Sequence, residues 1–70
     1  MNHIERMELE VEELNNKITK ATEFLENEIK NPTCTNEVQR IKLACQIEYM
    51  LNYFTVLTDR INYDKSLLNK

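Results

Sequence analysis

Glycine is absent from this 70-residue sequence, proline occurs once, at position 32, and histidine once, at position 3. Without glycine there is no phosphate-cradling loop, and no Cys-x-x-Cys, His-Glu-x-x-His or nucleophile-elbow pattern is present. The two cysteines, Cys34 and Cys45, form neither a disulfide framework nor a metal-ligand spacing. With a single histidine beside them, neither a zinc site within one chain nor any other cofactor is expected. Cys45 falls on an apolar helix face and reads as a small buried thiol. The glutamates sit next to one another or at i,i+3 on a polar face, where nothing raises a carboxyl pKa, so catalysis is not expected. His3 reads as an exposed residue of a first helical turn.

Long apolar runs are also missing. None approaches the roughly 20 residues of a membrane span. The polar, acidic N-terminus does not resemble a signal peptide. A net charge of −3 gives no overall attraction to anionic membranes or nucleic acid. A soluble protein of a reducing cytoplasm is the expectation.

What is present is helical periodicity. From Arg40 to Ile61 the apolar residues lie on two faces. Leu43, Ile47, Met50, Phe54, Leu57 and Ile61 form one stripe in steps of four and three. Val38, Ile41, Cys45, Tyr49, Val56 and Tyr63 form another, centred roughly 130° away. Upstream, Ile4, Met7, Val11, Leu14, Ile18, Ala21 and Leu25 form a heptad seam that drifts at Glu28. Asn2 with Glu5 resembles a capping box, and Asn36 with Gln39 repeats the device, with Thr35 as the alternative cap. Glu13–Lys17 and Glu26–Lys30 are i,i+4 pairs in the favourable order. Asn31-Pro32 ends the first helix, because proline pushes the preceding residue out of the α region. The spacing therefore predicts one domain over 1–70, with a helix over 3–30, a turn over 31–35 and a helix over 36–67, followed by fraying at Asn69 and Lys70.

So short a connection predicts an all-α, antiparallel, coiled-coil-like hairpin. Facing positions would set Arg6 level with Arg60, Glu13 with Tyr53 and Lys20 with Gln46. The first helix can cover only the Leu43–Ile61 stripe. The stripe of Val38, Ile41, Cys45, Tyr49, Val56 and Tyr63 would remain as a large patch for a monomer, which predicts a homo-oligomeric helical bundle. A core this size rarely stabilises a lone chain by more than about 3–5 kcal/mol, which points the same way.

One polar set stands out. Gln46, Tyr53 and Arg60 recur every seven residues between the two apolar stripes, while Arg6, Glu10, Glu13, Lys17, Lys20 and Phe24 share a face of the first helix. Arginine forks beside a tyrosine ring suit a ligand carrying phosphate and a base. Arg6, Lys17, Gln46, Tyr53 and Arg60 are the candidate ligand residues. The competing assignment is a row of ion pairs sealing the interface, Arg60 with Glu10 or Arg6 with Asp59 or Asp64. Sequence leaves both open.

Arg6, Glu13-Leu14, Lys17-Ile18 and Phe24-Leu25, followed by Leu43, Gln46, Met50, Tyr53, Leu57 and Arg60-Ile61, resemble a family of very short two-helix accessory proteins of tailed phages, crAss-like phages among them. The likeness spans roughly residues 4 to 61. Gln46, Tyr53 and Arg60 are its informative letters, since a plain hairpin does not require them. The connection over 31–36 departs from the more acidic linker of that family. The resemblance implies a phage accessory protein with no established reaction. By analogy with other hairpin oligomers, it suggests counter-defence in the host cytoplasm, with a cyclic nucleotide or ADP-ribose-derived signal held between subunits. The alternative is a structural adaptor whose apolar face, through Val38, Ile41, Tyr49 and Tyr63, binds a host or phage protein helix.

Overall fold

A computed structural model describes residues 2–68. It contains two helices, α1 (His3–Lys30) and α2 (Glu37–Leu68), folded against each other in antiparallel sense in a rod 52 × 18 × 14 Å. Asn69 and Lys70, where fraying was expected, lie outside the described residues. The expected end of α2 is passed by one residue, and its start falls one residue later.

Both helix starts carry the side-chain chemistry their sequences suggest. Asn2 is extended (φ −81°, ψ 171°), and its Oδ1 accepts from the Glu5 N–H at 2.8 Å. At α2 the box is reciprocal. The Gln39 N–H donates to Asn36 Oδ1 at 2.9 Å, and the Asn36 N–H donates to Gln39 Oε1 at 2.8 Å. Orphan amides at a helix start are thereby satisfied, with Asn36 rather than Thr35 as the cap. Asn31 ends α1 at φ −149° and ψ 87°, outside the α region that a following proline disfavours.

The core is a single seam. Ile4, Met7, Leu57 and Ile61 form a buried cluster against which Val11 packs, and Ile18 and Ile47 are buried farther along. Every residue of the α1 heptad seam is buried or half-buried, as is every residue of the Leu43–Ile61 stripe. The second stripe behaves differently. Val38, Ile41, Cys45, Tyr49, Val56 and Tyr63 are all exposed, Tyr49 by 74%. Cys45 is therefore not the buried thiol expected of it, because α1 can wrap only one side of α2.

Glu28 corrects the sequence account in another way. It does not mark a drifting seam. It continues the seam as a buried carboxylate, 4% exposed, turned toward the connection between the helices. Glu28 Oε2 accepts from the Thr33 N–H (3.2 Å) and hydroxyl (2.9 Å), while Oε1 accepts from the Cys34 N–H (2.8 Å) and the Thr35 hydroxyl (2.9 Å). These donors, led by the Cys34 amide, hold its carboxyl down at about 2, against an ordinary 4.5. Arg40 adds a clamp from the far side, donating to the Thr35 carbonyl at 2.7 Å. The acid that organises this turn thus comes from the end of α1 rather than from the linker.

Candidate functional site

The polar row between the two stripes of α2 meets a matching row on α1. His3 Nε2 lies 3.2 Å from Asp64 Oδ2, and the Tyr53 hydroxyl donates to Glu10 Oε1. Arg6 lies one turn from each of His3 and Glu10, so it belongs to the same row of α1. Lys17 continues that row two turns beyond Glu10, and Gln46 continues the α2 row two turns before Tyr53. The Tyr53 side chain reaches Glu10, one turn from the Glu13 expected level with it, while His3 with Asp64 keeps the expected register. The opposite edge of the hairpin is closed by Lys65 Nζ to Glu8 Oε1 at 3.4 Å.

The predicted residues differ in what the structure gives them. Arg6, Lys17, Gln46, Tyr53 and Arg60 are all exposed, and helical spacing puts them on the rows that carry Glu10 and Tyr53. Among the described residues, only Tyr53 of these five has a side-chain hydrogen-bond partner, and it remains 50% exposed. Its hydroxyl pKa is raised, first by donation to Glu10, then by desolvation and by the Glu10 charge, while Arg60 pulls in the other direction. The ion pairs proposed for a sealed interface are not formed. Among the described residues, no carboxylate lies within 4.0 Å of Arg6 or Arg60, and His3, not Arg6, takes Asp64. The i,i+4 pairs Glu13–Lys17 and Glu26–Lys30 are likewise open among those residues.

Chemically, this row offers the guanidinium forks of Arg6 and Arg60, unpaired among the described residues, the Tyr53 ring, and the carboxylates of Glu10 and Asp64. Because Glu10 engages the phenolic oxygen, the Tyr53 ring is tethered at its edge while its face stays available for stacking. Glu10 and Asp64 oppose an incoming anion, while Arg6, Arg60 and Lys17 attract one. The described residues of one chain enclose no pocket here, so a single copy supplies an open surface rather than a cavity. Sequence reasoning passed over Lys42. It is exposed, has no carboxylate within 4.0 Å among the described residues, and lies on nearly the same line of α2 as Arg60, about five turns away. Its eighteen-residue spacing from Arg60 was the available signal.

No cluster of His, Cys, Asp or Glu able to hold a metal ion occurs among the described residues. No helix among them is long and apolar enough to cross a membrane. Comparison with curated proteins and with solved structures finds no match to this chain. A family model does match, over residues 1–63, and its description is Sequestin. With nearly the whole hairpin inside that match, the chain belongs to the Sequestin family.

Proposed function

We propose that this chain is a phage-encoded, non-enzymatic counter-defence protein that sequesters a nucleotide-derived immune signal at subunit boundaries in the host cytoplasm. The observation that carries this reading is the pair of arginines, Arg6 and Arg60, without carboxylate partners among the described residues, on the rows that carry a half-exposed Tyr53. Unpaired guanidinium groups held along a helix junction are suited to phosphate, and a tethered ring is suited to a base. The family's name, which denotes sequestration, agrees with this reading. Homo-oligomerisation through Val38, Ile41, Cys45, Tyr49, Val56 and Tyr63 belongs to the same proposal. A ligand shared between copies can be enclosed where one open surface cannot enclose it. Arg6 and Arg60 hold phosphate, Tyr53 stacks on a base, and Gln46 or Lys17 hydrogen-bonds the ligand.

Calorimetry with cyclic oligonucleotides and cyclic ADP-ribose isomers tests it. One class gives heat, and Arg60→Ala weakens that binding roughly tenfold or more, the worth of a charged hydrogen bond. No heat with any of them at high protein concentration overturns the proposal. The exposed stripe of α2 also favours a second reading, an adaptor that captures a protein helix through Tyr49 and Tyr63. Capture that survives Arg60→Ala and fails with Tyr49→Ala selects that reading instead.

A further inference from the structure

We infer that His3 and Tyr53 are positioning residues. By taking Asp64 and Glu10 across the helix junction, they keep those carboxylates off Arg60 and Arg6 and leave both guanidinium groups open to a phosphate-bearing ligand. The inference rests on the sequestration reading for its ligand but not for its geometry.

Each helix carries the same short element, an arginine followed four residues later by an acid: Arg6 with Glu10 on α1, and Arg60 with Asp64 on α2. Residues four apart lie one turn from each other on one face, so each arginine has a carboxylate of its own helix within reach. Neither of these pairs forms among the described residues. Both acids turn to the other helix instead. Glu10 Oε1 accepts from the Tyr53 hydroxyl, and Asp64 Oδ2 lies 3.2 Å from His3 Nε2. The base-before-acid order is also the weaker one for a pair within a helix, which favours the exchange.

The two cross-helix contacts bracket the arginines. Along α1 the order is His3, Arg6, Glu10, and along the antiparallel α2 it is Asp64, Arg60, Tyr53. Arg6 and Arg60 therefore lie between the same two contacts, one on each side of the junction.

Charge alone does not select this stretch for an anion, since Glu10 and Asp64 balance Arg6 and Arg60. What a phosphate needs is free guanidinium N–H groups, and a fork already engaged by a carboxylate has that edge occupied. A phenol or an imidazole N–H satisfies a carboxylate oxygen in place of an arginine. The Nε2 atom donates in the imidazolium and in the Nε2–H tautomer alike. No arginine–carboxylate pair then has to break when the ligand arrives. Exposed pairs of that kind are worth about two- to fivefold in an equilibrium constant, which sets the size of the effect.

Hydrogen exchange of the arginine side chains tests the geometry without any ligand. In the isotope-labelled full chain, the Nε–H groups of Arg6 and Arg60 exchange as those of an unpaired arginine. His3→Ala slows exchange at Arg60, and Tyr53→Phe slows it at Arg6. Adding Asp64→Asn to the first variant, or Glu10→Gln to the second, restores the faster rate. Unchanged exchange in both single variants, or slowing that persists once the acid is neutralised, overturns the inference. Inorganic pyrophosphate, titrated by chemical shift, reads the consequence. His3→Ala weakens its binding about two- to fivefold, and His3→Ala with Asp64→Asn binds at least as tightly as wild type. Weakening that Asp64→Asn fails to reverse contradicts a positioning role for His3. No pyrophosphate binding by any variant, with the exchange pattern as expected, removes the sequestration reading and leaves the placement of the acids standing.

Discussion

At Glu28, a carboxylate accepts four hydrogen bonds from three consecutive turn residues, so its protonation state and the turn are coupled. Its folded value, about 2, lies below its ordinary 4.5. A carboxyl held low in the folded state contributes stability that is complete above its unfolded pKa and is lost as pH falls toward the folded one. The part of the hairpin's stability owed to Glu28 is therefore present above about pH 4.5 and disappears between 4.5 and 2. Denaturation followed by circular dichroism across this window checks it. Glu28→Gln is less stable than wild type at neutral pH and shows a shallower loss of stability below pH 4.5. At Tyr53 the raised hydroxyl makes a spectroscopic prediction. Tyr53→Phe removes a phenol that ionises above the usual tyrosine range, and Glu10→Gln moves that ionisation down, both visible in ultraviolet titration. Neither side chain's role could be read from spacing alone. Glu28 looked like a flaw in a heptad, because a seam position is ordinarily apolar, and only the turn conformation supplies its donors. Tyr53 lies on the predicted face, but its hydroxyl reaches along α1 to Glu10 instead of Glu13.

The two helices themselves were legible because local and long-range signals agree. Reciprocal Asn36 and Gln39 at one start, Asn2 at the other, and Pro32 between them leave little freedom in where helices begin and end. The seam of α1 repeats at heptad spacing, and each of its members from Ile4 to Leu25 is at least half-buried. Two substitutions measure these contributions. Asn36→Ala costs about 1 kcal/mol by removing the cap's acceptor. Leu57→Ala costs about 2–5 kcal/mol, since Leu57 is 2% exposed at the centre of the core cluster. That second loss is comparable to the whole stability expected of so small a core, so urea melts of Leu57→Ala begin from a partly unfolded chain.

For the whole molecule, the deciding feature is the inequality between the helices. α1 carries one apolar stripe and α2 carries two, so folding the chain on itself leaves Val38, Ile41, Tyr49, Val56 and Tyr63 exposed. That much was visible in the sequence, because apolar periodicity counts faces. The chemistry of the junction was less visible. Whether an arginine finds a carboxylate depends on side-chain reach and register, and here Asp64 turns to His3 while Arg6 and Arg60 stay unpaired among the described residues. Shared burial of the second stripe is the step on which an enclosed ligand site depends. Light scattering of the purified chain at high micromolar concentration tests this most directly. A mass at a whole multiple of 8.4 kDa, falling to 8.4 kDa with Val56→Glu while helicity persists, is the predicted result. A well-folded wild-type species of 8.4 kDa at that concentration would contradict the account.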